Sequence, residues 1–229
     1  MKKSCLRIGH RGAMGHVVEN TMASINKALE FNVDGIEIDV HKCASGELVV
    51  FHDFTLDRMT NASGEISKYT LSELKRFQVK EQFDIPTLQE VINFIDRKCL
   101  LNIELKGRNT AFETERIIKK YIDYQGWTYN NFLVSSFQHH ELEQVYNQNA
   151  KVPLAVLTKA NMDEAIEFAE IVKANAIHPN IAIVTRNNIK KAKDMGYNVN
   201  VWTANDEDVI KRMKDYNVDA IISDFPDRI

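Results

Sequence analysis

VPLAVL at 152–157, ANAIH at 174–178, NVNVW at 198–202 and AIIS at 220–223 are short apolar runs that recur about every 22 residues, the spacing of repeated β-α units. Between them, Met162, Ala165, Ile166 and Ala169 fall at helical spacing, as do Ile189, Ala192 and Met195, and then Val209, Ile210 and Met213. A strand, a helix and another strand in that order require parallel pairing, because only a crossover of that length returns the chain in the same direction. Working toward the N-terminus, 100–105 and 132–135 read as two more strands. They are followed by the helical patterns Ile117, Ile118, Tyr121 and Leu142, Val145, Tyr146. The runs 6–9 and 35–40 bring the count to eight. A doubly wound open sheet has the same local pattern, but eight parallel strands close most naturally into a TIM-type (β/α)8 barrel, and that is the expected fold.

One run departs from the rhythm. Residues 47–51 follow Val40 too closely for a crossover helix, and Ser45-Gly46 suits a two-residue turn, so this piece reads as a β-hairpin extending strand 2. Residues 53–86 contain one clear short helix, at 71–77, and read as a small insertion over one face of the barrel, before a helix carrying Leu88, Val91, Ile92 and Ile95. With 229 residues and no linker or low-complexity stretch, one domain over 1–229 is expected.

The charge balance narrows the partners. Twenty-nine basic against 32 acidic residues give a net charge of -3 with no segregated block, which speaks against nucleic acid. Met1-Lys2-Lys3 leads into a strand-like run rather than the apolar core of a signal peptide, so a cytoplasmic location is expected. Cys5, Cys43 and Cys99 are odd in number and widely spaced, which suits free thiols in a reducing compartment. No apolar run approaches the ~20 residues of a membrane span, and no stable membrane association is expected.

The chemistry concentrates at strand ends. In Glu37-Ile38-Asp39 the period of two puts both carboxylates on one face, and Glu104-Leu105-Lys106 repeats the arrangement on a later strand with a cation. Charged residues in half-exposed strands usually face solvent, but helices cover the outside of a parallel barrel, so these face inward. Three poorly solvated carboxylates call for a divalent cation, and an all-oxygen set suits Mg²⁺ or Ca²⁺ better than zinc. His10 and His52 each end a strand at the face where barrel active sites form. If Ala44 pairs with Glu47, the hairpin ladder places His52 opposite Asp39. His16, His41, His139, His140 and His178 are read as structural. Arg11 and Lys106 supply positive charge for a phosphate. No G-x-x-x-x-G-K-[ST] or G-x-G-x-x-G occurs, and the last strand ends Ser223-Asp224-Phe225-Pro226 without glycine, so side chains and metal must hold it.

His10-Arg11-Gly12, Glu19-Asn20-Thr21, Glu37-Ile38-Asp39, His52-Asp53, Ile85-Pro86-Thr87-Leu88 and Asn102-Ile103-Glu104-Leu105-Lys106 together resemble the glycerophosphodiester phosphodiesterase family in order and spacing. Weaker matches at Ser135-Ser136-Phe137, Val201-Trp202-Thr203 and Ser223-Asp224-Phe225-Pro226 extend the likeness to nearly the whole chain. The resemblance implies a TIM barrel in which His10 and His52 are the acid-base pair, Glu37, Asp39 and Glu104 bind one divalent cation, and Arg11 and Lys106 contact phosphate. Trp202 is either the family's aromatic wall beside the alcohol or a barrel-core aromatic. Val18 stands where the family often has proline, and Met59 where it often has threonine; neither is a proposed catalytic group.

The implied reaction cleaves a small-molecule glycerophosphodiester to glycerol 3-phosphate and an alcohol, with the 2-hydroxyl as nucleophile. An imidazole near Arg11 is expected to be lowered in pKa and one among carboxylates raised, which would make His10 the base and His52 the acid. Two rivals remain: a related barrel phosphodiesterase acting on lysophospholipids, and a silent barrel that binds glycerophosphodiesters. The insertion lacks an apolar or basic lip for membrane docking, and a binder has no need of paired proton carriers.

Overall fold

The computed structural model describes residues 5–229, so the basic start Lys2-Lys3 lies outside the described residues. In chain order the strands are β1 (Leu6–Gly9), β2 (Gly35–Lys42), β3 (Leu48–Val50), β4 (Gln78–Val79), β5 (Phe83–Asp84), β6 (Leu100–Leu105), β7 (Phe132–Ser136), β8 (Leu154–Thr158), β9 (Ala176–Pro179), β10 (Asn198–Val201) and β11 (Ala220–Ser223). The ring runs β1-β11-β10-β9-β8-β7-β6-β2, and β2 pairs back onto β1, which leaves no open edge and rules out the doubly wound alternative. Every pairing in that ring is parallel.

The helices are α1 (Met22–Glu30), α2 (Leu71–Leu74), α3 (Leu88–Ile95), α4 (Ala111–Gln125), α5 (His139–Gln148), α6 (Met162–Ile171), α7 (Arg186–Asp194) and α8 (Glu207–Asp215). Their starts are chemically marked: Thr21, Thr87, Asn161, Thr185 and Asp206 each accept a first-turn N–H. Outward-facing strand residues such as Ile36, Ile38, Leu101 and Ile103 are fully buried under the helices in one continuous apolar layer. Truncating one, for example Ile103→Ala, costs about 2–5 kcal/mol. Inward, Leu133, Ala155 and Ala176 form one small patch and Ile8, Ala220 and Ile222 another, so the barrel interior is packed rather than open.

The hairpin corrects one expectation. Val40 pairs with Val50, His41 with Val49 and Lys42 with Leu48, so the turn is the three residues Ala44-Ser45-Gly46, with Cys43 N–H donating to the Glu47 carbonyl at 3.0 Å. Gly46 makes this possible by taking φ +103°, a conformation that side-chain-bearing residues avoid. The register is therefore one residue away from that expected, and Phe51, not His52, faces Asp39, its N–H donating to the Asp39 carbonyl at 3.0 Å. Strand β3 ends at Val50 and Phe51 makes the last backbone bond to β2, so His52 lies past the ladder and reaches the cavity independently of strand alternation.

The insertion has its own small core, in which Leu56, Met59, Ile66, Leu74 and Val79 pack with Val49 and Phe51. Helix α2 stops at Leu74, short of the expected 77, after a capping box between Thr70 and Glu73. Among the described residues no helix is long and apolar enough to cross a membrane.

Candidate active site

Strands β2 and β6 lie side by side with Asp39 opposite Glu104 and Glu37 opposite Asn102, so three inward carboxylates meet near the C-terminal end of the barrel. Glu37, Asp39 and Glu104 are all buried, and one oxygen from each lies within 4.8 Å of the other two. Burial pushes the Glu37 carboxyl well above the usual carboxylate range, and Asp39 and Glu104 add to the rise against Arg11. Glu104 is pushed up to about 7 by burial and then by Asp39, despite Lys106. Burial also opposes charge on Asp39, yet Arg11, His52, Lys106 and a hydrogen bond from Asn20 hold it below the usual range.

A cluster with two such reluctant anions is unfavourable as it stands and fits a bound cation. Glu37 Oε1 is buried and has no hydrogen-bond partner among the described residues, as an atom reserved for a ligand would be. The all-oxygen donor set suits a hard divalent ion.

Both sequence-predicted histidines reach this cluster. His10 presents Nε2 at 3.9 Å from Glu37 Oε2, while its Nδ1 is 2.6 Å from Asp224 Oδ1. His52 places Nδ1 2.7 Å from Asp53 Oδ1. Hydrogen bonding to His10 holds Asp224 low against its burial, and hydrogen bonds from Arg58 and His52 lower Asp53 to about 2 against its own. Each carboxylate is thus ionised and can only accept. That puts the hydrogen on Nδ1 of each ring and leaves Nε2 for chemistry. Burial pulls the His52 imidazole below its ordinary value; Asp39 works the other way, and Arg11 adds to the fall. This is opposite in sign to the rise expected from neighbouring carboxylates, because desolvation outweighs them.

The loop after β1 is built to hold Arg11. Gly12 takes φ +88°, and a Cβ there would fall 2.4 Å from Ser24 Oγ, so helix α1 packs directly on the backbone. Arg11 itself has φ +49°; its N–H donates to Glu37 Oε2 at 3.0 Å, and its guanidinium lies 3.2 Å from Asp39 Oδ2 and donates to Glu19 Oε1 at 2.7 Å. The Glu19-Asn20-Thr21 segment then divides its work. Glu19 holds Arg11 and Arg58, the Asn20 amide donates to Asp39 at 2.9 Å, and Thr21 caps α1. Lys106 donates to Glu104 Oε1 at 3.1 Å and stands 3.9 Å from Asp39 Oδ1.

All of this opens into a cavity of about 380 Å³. Of the sequence-predicted site residues, His10, His52, Glu37, Glu104, Arg11, Lys106 and Trp202 line it, and Asp39 lies beneath. Trp202 meets Phe137 edge to face at 5.5 Å and donates Nε1–H to the His178 carbonyl at 2.8 Å, so it is a cavity wall anchored to the barrel. Sequence reasoning did not single out Phe137, Lys159 or Asn102, nor the orienting groups Asp53, Arg58 and Asp224. Asn102, Phe137, Asp53 and Asp224 stood inside recognised motifs; Lys159 and Arg58 carried no signal. His178, read as structural, also lines the cavity, and burial lowers its pKa to about 3.

The chain is similar to known proteins over nearly its whole length. The chain is 35% identical to a glycerophosphodiester phosphodiesterase of Bacillus altitudinis, covering 96% of this chain and 94% of the relative. It is 32% identical to one from Caldanaerobacter subterraneus, covering 98% and 96%. Among solved structures, a phosphodiesterase of Oleispira antarctica in complex with its product sn-glycerol-3-phosphate superposes with a TM-score of 0.88 at 30% identity, covering 97% of this chain and 94% of that one. The model of the glycerophosphoryl diester phosphodiesterase family matches residues 10–228, and the chain belongs to that family.

Proposed function

We propose that this chain, acting as one barrel domain in the cytoplasm, uses a divalent cation, Mg²⁺ or Ca²⁺, to hydrolyse glycerophosphodiesters to glycerol 3-phosphate and an alcohol. The observation that carries the reading is the convergence of His10 and His52, each with Nδ1 on an aspartate, on the same cavity as the buried carboxylates Glu37, Asp39 and Glu104. Glu37, Asp39 and Glu104 would hold the cation. When bound, it supplies positive charge that lowers the pKa of a nearby hydroxyl and offsets charge gathering on the phosphate.

Arg11 and Lys106 orient the phosphate oxygens. One imidazole Nε2 accepts the proton of the glycerol 2-hydroxyl as its oxygen bonds to phosphorus, and the other donates a proton to the alcohol oxygen as its bond to phosphorus breaks. The resulting cyclic phosphate is opened by water with the two roles exchanged, which returns both imidazoles to their starting states. Burial of His52 favours its neutral form, so His52 suits the first acceptor role better than the acid role expected from sequence.

The test is release of glycerol 3-phosphate from purified protein with glycerophosphocholine and glycerophosphoglycerol, under Mg²⁺, Ca²⁺ or excess EDTA. Metal-dependent release, abolished in His10→Ala and His52→Ala and falling on both sides of a pH optimum, is expected. A flat profile from about pH 5 to 9 would sink the two-histidine scheme. No release from any glycerophosphodiester under either metal would move the assignment to a lysophospholipid-cleaving phosphodiesterase or a silent binder.

A further inference from the structure

The cavity has two chemically different walls. His10 closes β1, Glu37 and Asp39 sit on β2, and Glu104 on β6, so all the proposed reacting groups from the barrel strands occupy three adjacent strands of the ring. Lys159 directly follows β8, which is four strands from β1 in either direction around the barrel and so diametrically opposite it. It is exposed, it lines the same cavity, and none of the lysine-carboxylate pairs among the described residues includes it. The rest of that far wall is Leu157, Trp202, Thr203 and the buried His178.

A substrate with its phosphate and glycerol hydroxyl at the near wall has its remaining part to accommodate across the cavity. A quaternary or primary ammonium there would meet Lys159 and find no carboxylate, since Glu37 and Glu104, the carboxylates that line the cavity, belong to the near wall. The Phe137 ring already has a cation beside it, Lys106 Nζ at 5.9 Å from its centroid, and meets Trp202 edge to face. We propose that Lys159 is a specificity-determining residue that selects, by charge, a neutral polyhydroxyl or anionic leaving alcohol over a cationic one. This rests on the phosphodiesterase reading above.

The experiment measures kcat/KM for three glycerophosphodiesters whose leaving alcohols differ in charge: choline, glycerol, and a glycerol carrying a second phosphodiester, as in deacylated cardiolipin. The wild type is expected to rank them anionic, then neutral, then cationic. Lys159→Ala compresses the anionic-to-choline ratio about fivefold, the scale of one exposed charge contact, and Lys159→Glu compresses it further and lifts choline. Lys159→Arg keeps the ranking, and raised salt flattens it in the wild type. The ratio is the readout, because a lysine acting on the scissile phosphate would slow all three substrates alike. Release with a ratio unchanged across the variants, or a wild type that favours choline, overturns this inference and leaves the phosphodiesterase reading standing. No release from any of the three overturns both.

Discussion

His10 Nδ1 lies 2.6 Å from Asp224 Oδ1, a contact made across 214 residues of chain and possible only because β1 and β11 pair to close the barrel. Asn205 holds the carboxylate in turn, its amide donating to Asp224 Oδ2 at 2.7 Å while its carbonyl oxygen accepts the Asp224 N–H at 2.9 Å. An ionised acceptor at Nδ1 fixes the tautomer that leaves Nε2 available. Asp224→Asn offers an N–H in its place and favours the wrong tautomer. We expect kcat to fall by about 10²–10⁴-fold with KM nearly unchanged, in steady-state kinetics on a glycerophosphodiester. A loss confined to KM would mean that Asp224 serves binding instead.

His52 is held through a longer chain. Arg58 clamps Asp53 with Nε at 2.5 Å from Oδ2 and reaches Glu19 with both terminal nitrogens, at 3.0 and 2.8 Å. Arg58 touches none of the three clustered carboxylates, so Arg58→Ala acts on the orientation of His52 through Asp53 and of Arg11 through Glu19. A roughly tenfold lower kcat is expected, as a small misplacement of a catalytic group produces. The conservative change Arg58→Lys restores little, because one ammonium does not span two carboxylates. Cation binding, read as a shift in melting temperature, is expected to survive both changes.

Cation binding has a readout independent of turnover. Saturating Mg²⁺ or Ca²⁺ is expected to raise the melting temperature of EDTA-treated protein by about 5–10 °C if the site is filled to near 100 times its Kd. The sign of the metal-free pH dependence follows from Glu104, raised from 4.5 to about 7. Its favourable contribution is fully present below the unfolded value and is lost as pH rises through the folded one. Metal-free protein should therefore weaken between about pH 4.5 and 7 on this account. Glu104→Gln should reduce that slope to the part that the raised Glu37 carboxyl contributes, and remove most of the cation shift. A wild-type shift retained in Glu104→Gln would place the cation elsewhere.

What the sequence made legible, and what it did not, divides along physical lines. The barrel strands stood out because helices cover one side of each and the packed interior the other, which leaves runs such as 152–157 nearly devoid of charge, and Glu37, Asp39 and Glu104 were conspicuous against that background. Strand alternation was enough to put all three on one side. The hairpin register was missed by one residue because it depends on whether Ala44 pairs in the ladder or joins Ser45-Gly46 in the turn, a choice made by local backbone conformation rather than by hydrophobic pattern. The partnership of His10 with Asp224 needs barrel closure before the two ends of the chain meet. Lys159 follows its strand by one residue, where nothing in local periodicity distinguishes a cavity-facing lysine from a solvated one.

His178 gives the last prediction, and it concerns acid rather than metal. Its ring is fully buried on β9, with Nε2 2.9 Å from the Asn200 amide nitrogen, so Asn200 donates and Nε2 accepts. A protonated ring would put an N–H against that N–H, and burial lowers the pKa from 6.5 to about 3. A depressed folded value means that the unfolded chain takes up the proton first. The stability His178 contributes is present above about 6.5 and is lost as pH falls toward about 3. By linkage the loss at pH 4 is on the order of a few kcal/mol, to which the lowered Asp39, Asp53 and Asp224 carboxylates add as they take up protons. His178→Gln keeps a carbonyl oxygen to accept from Asn200 and carries no titratable group. Thermal melts of EDTA-treated wild type and His178→Gln between pH 7 and 4 should therefore show the variant gaining on the wild type as pH falls, since the opposite trend from Glu104 is common to both proteins. Parallel profiles would mean that other groups, and not this buried imidazole, set the acid limit.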